Sequence, residues 1–82
     1  MTDGPEVVLI ALAFRRNHPK VPPLEILEAC FRHRAGGHVS DLGDALQPGS
    51  PFAALVCEAF GCADIEEGSR QLAQRFSLRT GA

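Results

Sequence analysis

Tryptophan and tyrosine are both missing from the 82 residues. The large apolar contacts therefore fall to five phenylalanines, together with leucine, isoleucine and valine. Long apolar runs are missing too. The longest, Val7 to Phe14, has eight residues, far short of the ~20 that a bilayer-spanning helix needs. Cysteine is scarce and odd in number, with three residues, where a small secreted domain usually carries an even disulfide framework. No leader-like segment precedes them. These absences lead us to expect a cytoplasmic chain with reduced thiols and no membrane association. A basic surplus is absent as well. The net charge of −2 gives no long-range attraction to nucleic acid or to an anionic membrane. The length leaves room for one small core, so one domain is expected over residues 1–82, ordered from about residue 5 to 78. An apolar share of 45% is ordinary for a globular chain and too high for a disordered one.

What is present is unevenly distributed. Residues 14–38 carry Arg15, Arg16, Lys20, Arg32 and Arg34 against Glu25 and Glu28. Residues 39–69 carry Asp41, Asp44, Glu58, Asp64, Glu66 and Glu67 with no lysine or arginine. Arg70, Arg75 and Arg79 follow. Such basic, acidic and basic blocks either pair inside the fold or form a polarised surface that orients a charged partner or a second copy.

The apolar residues recur at helical spacing in four segments. The first runs from about Pro5 to Asn17. Asp3 is its expected N-cap, with Glu6 completing a capping box. Val7 to Phe14 is apolar all round, which places this helix centrally or gives it a second face at an interface. His18-Pro19-Lys20-Val21-Pro22-Pro23 breaks it, because each proline disfavours helical geometry in the residue before. A second helix opens near Pro23, shares Leu24, Leu27, Cys30 and Phe31 on one face, and ends at Gly36-Gly37. Ser40 opens a short turn over residues 41–47, stopped by Pro48. The third helix has Ser50 as N-cap, Pro51 in first position and Gly61 beyond its last turn. The fourth opens at Asp64 with Glu67 in a capping box, and Ile65, Leu72 and Phe76 share a face. The expected architecture is an all-α compact bundle of four main helices with a short extra helical turn. Its expected core is Ile10, Phe14, Leu27, Phe31, Leu55, Phe60, Leu72 and Phe76.

Several residues could carry chemistry. Cys30 and His33 lie one helical turn apart, with His38, Cys57 and Cys62 elsewhere. Tetrahedral zinc accepts such donors. The chain has no C-x-x-C knuckle, however, and no histidine pair on one helix, so no metal and no cofactor is expected. A Cys30–His33 nucleophile pair lacks an orienting group and an oxyanion pocket, so the chain does not read as an enzyme. The stretch Ser69-Arg70-Gln71-Leu72-Ala73-Gln74-Arg75-Phe76-Ser77 has the look of a recognition helix. Arg70, Gln71, Gln74 and Arg75 could reach bases or phosphates. Asp64, Glu66 and Glu67 at its start have the wrong sign for a phosphate backbone.

Asp41-Leu42-Gly43-Asp44-Ala45-Leu46, followed by Phe60-Gly61 and Ile65, resembles the attachment region of the acyl carrier proteins, a D-L-G-x-D-S-L turn and a helix ending in F-G. The resemblance covers about a quarter of the chain. The serine that holds the phosphopantetheine arm in that family is Ala45 here. Gln47-Pro48-Gly49-Ser50-Pro51 interrupts the helix that should follow, and Ser50 lies too far along to replace the missing hydroxyl. The resemblance therefore transfers no site.

The reading that remains is a non-catalytic protein-interaction or adaptor module, self-associating or docking on another protein through an apolar helix face. Arg15, Arg16, Arg32 and Arg34 form its expected basic surface, and Asp41, Asp44, Glu66 and Glu67 its acidic one. The partner is another protein or a second copy, rather than nucleic acid or membrane. The alternative is a small helix-turn-helix-like DNA-binding regulator.

Overall fold

The computed structural model describes residues 4–32 and 38–79. Their order is α1 (Gly4–Asn17), α2 (Pro23–Phe31), a 3-10 segment (Val39–Leu46), α3 (Pro51–Phe60) and α4 (Ile65–Arg75). This is the expected all-α bundle of four main helices with a short extra helical segment. Among the described residues the only strand-like pairing is an isolated parallel bridge between His38 and Arg79. There the Val39 N–H donates to the Arg79 carbonyl at 2.9 Å. Among them, too, no helix is long and apolar enough to cross a membrane.

The helix ends follow local chemistry. Ser50 has extended backbone, and its hydroxyl accepts from the Ala53 N–H at 3.0 Å. The same hydroxyl donates to the Ala45 carbonyl, tying the 3-10 segment to the start of α3. Gly61 takes the left-handed conformation, φ 66°, and the Cys62 N–H returns to the Cys57 carbonyl at 3.0 Å. That six-residue closure is the Schellman ending which glycine adopts at least cost. Asp64 caps α4 by accepting from the Glu67 N–H at 2.9 Å. Glu67 does not complete the reciprocal half of the box. Its carboxylate turns forward, to Arg70 and Gln71. Between α1 and α2, the His18 N–H donates to the Phe14 carbonyl at 2.8 Å, and the two rings lie 4.5 Å apart. Pro22 and Pro23 then set the entry to α2, with no side-chain cap. The expected cap Asp3 and the expected stop Gly36-Gly37 lie outside the described residues.

The core is organised on α3, which touches every other element. Phe52, Ala53, Leu55 and Val56 are buried along it. Around them sit Ile26 and Leu27 from α2, Leu72 and Ala73 from α4, Val7, Val8 and Ala11 from α1, and Leu42 from the 3-10 segment. Gly68 lets α4 come close to α3. A Cβ there would sit 3.1 Å from the Val56 Cγ1.

Four of the eight expected core residues are buried: Leu27, Phe31, Leu55 and Leu72. Phe14, Phe60 and Phe76 are half-buried and pack against the core from the ends of their helices. Ile10 is a correction, because it is 52% exposed. An uninterrupted apolar run has no angular preference of its own, and the neighbours of α1 took Val7, Val8 and Ala11 instead. Phe52 is the largest fully buried side chain. Phe52→Ala is expected to lower unfolding free energy by ~3–5 kcal/mol, with Phe60→Ala clearly milder, as read by urea denaturation. Equal losses would contradict this core.

Ser77 has a left-handed φ of 61° at the end of α4, and the Leu78 N–H closes on the Ala73 carbonyl at 2.8 Å. This repeats the Schellman ending of α3 with serine where glycine fits best. Ser77→Gly is therefore expected to raise stability by about 0.5–1 kcal/mol. A loss on thermal or urea unfolding would show that the serine does not bear that strain.

Candidate functional site

Helical spacing divides α1 into two faces. Val7, Val8 and Ala11 point into the core. Glu6, Leu9, Ile10, Ala13, Arg16 and Asn17 are all exposed, and their spacing of three and four residues puts them on one stripe. Leu9 and Ile10, at 68% and 52% exposure, are the exposed large apolar residues of the described chain. Both sit between an acidic residue at the start of the stripe and a basic one at its end. Among the described residues neither Glu6 nor Arg16 makes an ion pair or a side-chain hydrogen bond.

The charge blocks are partly used within the fold. Arg15 pairs with Glu58 at 2.9 Å and fastens α1 to α3. Arg75 pairs with Glu28 and fastens α4 to α2. Arg70 pairs with Glu67 along α4. Asp44 accepts from the Gln47 amide at 3.0 Å. Arg16, Arg32 and Glu66 are exposed and have no such partner among the described residues. Arg15 and Arg16 lie near the end of α1, while Arg32 lies at the far end of α2, about 14 Å along that helix from its start. Arg34 and the side chain of Asp41 lie outside the described residues.

A second feature had no signal in the sequence. An open groove runs between the loop after the 3-10 segment and the start of α4. Its two adjoining halves have volumes of about 320 and 500 Å³, and Pro48, Asp64 and Ile65 line both. Its wall is apolar, from Leu46, Ala53, Ala54 and Ile65, and its rim carries Asp64 and Glu66. The loop and α4 meet only through tertiary packing, so no spacing rule could place it. Ser50 lines it, but that hydroxyl is committed to Ala45 and Ala53.

Two of the three thiols are shifted away from the thiolate form. None of the three cysteines is in a disulfide. Burial raises the pKa of Cys30. Cys62 is also raised, first by loss of solvation and then by the charges of Glu67, Cys57 and Asp64. An activated nucleophile needs the opposite shift. Among the described residues no three His, Cys, Asp or Glu side chains gather closely enough to hold a metal ion. His33, which the zinc and nucleophile readings need, lies outside them. His38 instead serves the chain locally, its Nδ1 meeting the Ser40 N–H at 3.1 Å and the Ser40 hydroxyl at 2.6 Å.

The segment that resembles the acyl carrier turn is a 3-10 segment broken at Gly43, with φ 60° and ψ −136°. Arg70, Gln71 and Arg75 of the recognition-like helix point to carboxylates of the same molecule. Comparison with protein-family models, with curated proteins and with solved structures finds no match.

A raised pKa means less thiolate at neutral pH. Cys62 is expected to react with iodoacetamide more slowly at pH 7–8 than an unperturbed thiol. Glu67→Gln, which removes one acidic neighbour, is expected to move its rate profile to lower pH. Reaction faster than that of a small thiol would contradict this environment.

Proposed function

We propose that the protein is a non-catalytic interaction or adaptor module that docks a partner protein on the exposed face of α1. The observation that carries this reading is the pair Leu9 and Ile10 standing in solvent on a helix whose opposite face is already buried. Covering them would gain ~25 cal/mol per Å² of apolar area removed from water. The charges around them would set approach and register more than affinity. The arginines and glutamates already paired with each other serve the fold, and of the expected surface charges among the described residues Arg16, Arg32 and Glu66 remain without such a pair. The DNA-binding reading gains nothing from α4, whose arginines face Glu67 and Glu28.

The test is positional. A photo-crosslinking residue placed at Leu9 in the producing cell should give protein adducts that the same residue at exposed Gln74 does not. The double substitution Leu9→Gln with Ile10→Gln should abolish binding to whatever is captured. It should leave unfolding free energy within about 0.5 kcal/mol, since both side chains are exposed. Equal adducts at both positions, or binding that survives the double substitution, would contradict the reading.

A further inference from the structure

The stripe on α1 reads as its own complement when reversed. Glu6 opens it and Arg16 is its last charge, ten residues or about 15 Å apart along the axis. Leu9, Ile10 and Ala13 fill the space between them, and all five residues are exposed. The midpoint between the two charges falls at the level of Ala11. We infer that the occupant of this face is a second copy of the chain, packed antiparallel through α1 about a two-fold axis at that level. The inference rests on the reading of α1 as a docking face and names what docks there.

An isologous contact must satisfy each residue twice with the same surface, and this stripe does so. Turning one helix end for end brings Glu6 of each copy level with Arg16 of the other. Two ion pairs then close the ends of the contact with charges that lack partners within the described chain. Leu9 of each copy comes level with Ala13 of the other, a large side chain over a small one, so the helix axes can approach. Ile10 meets Ile10 of the second copy near the axis. Parallel packing would instead set Glu6 beside Glu6 and Arg16 beside Arg16, so the charges select the antiparallel arrangement. Arg15, beside the stripe, stays engaged with Glu58 and is not needed.

The register makes the test sharp. Sedimentation equilibrium of the full chain should show a concentration-dependent dimer. Glu6→Arg alone should weaken it by about tenfold, because both end pairs are lost at once. Arg16→Glu alone should do the same. Either substitution also opposes the dipole of α1, so weakening by itself could reflect a poorer helix. Mixing the two variants settles this. A heterodimer of Glu6→Arg with Arg16→Glu has opposite charges at both ends and should recover the native affinity, although each helix keeps its defect. Circular dichroism of each variant confirms that the helices persist. A dimer that ignores both reversals, or a mixture no tighter than either variant alone, overturns the antiparallel pairing. A chain that stays monomeric at all concentrations overturns self-association. In that case adducts of a different protein at position 9 would leave the docking reading standing, and their absence would remove both.

Discussion

The rest of the structure depends on the burial of α3. It is the one helix in contact with every other element, and Phe52, Leu55 and Val56 supply the surface on which they are assembled. A chain of this length buries a modest part of its surface and has little margin. Concentrating the large side chains on one central helix gives a single interior instead of several thin ones. The ends of α3 are correspondingly well specified, by Ser50 and Pro51 at one end and by the left-handed Gly61 at the other. Gly68 brings α4 close to Val56, and the Phe31–Phe76 ring contact at 5.2 Å joins α2 to the end of α4.

That arrangement determines what α1 can do. With α3 in the centre, α1 lies to one side, packed on α2, α3 and the 3-10 segment. It needs only Val7, Val8 and Ala11 to do so, along with the edges of Leu12 and Phe14. The remainder of its apolar surface has nothing to cover it within the described chain. Leu9 and Ile10 are thus a consequence of an apolar run broader than the fold requires. An exposed apolar stripe on a small domain costs solubility unless something is gained by it, which is the physical basis for assigning it a partner.

Much of this organisation was legible in the residues. Ser50-Pro51 and Gly61 placed α3, and Asp64 placed α4, because caps depend on local hydrogen bonds that a sequence carries openly. The recognition that α1 had one apolar face too many was also available from Val7 to Phe14. Which residues lay on the spare face was not. Ile10 looked like core because it is large and apolar, and only the way α1 packs on α2, α3 and the 3-10 segment left it outward. Phe52 shares the helical stripe of Leu55, Val56, Ala59 and Phe60, but its place as the largest buried side chain was not legible. It follows Pro51 in the first turn, where a side chain can as easily overhang the end of a helix as fill its centre. The charge blocks were visible, but their partners were not. Arg75 finds Glu28 across 47 residues of chain, a contact that no local pattern encodes. The groove beside Ile65 is of the same kind.

On this arrangement α3 is the last element to come apart, and the other helices are held by it. Native-state amide hydrogen exchange tests this most directly. Amides of Leu55 and Val56 are expected to exchange only through global unfolding, with a free energy equal to that from denaturant titration. Those of α1 and α4 should open at lower free energy. Local opening of α3, while α1 or α4 remains protected, would contradict the account.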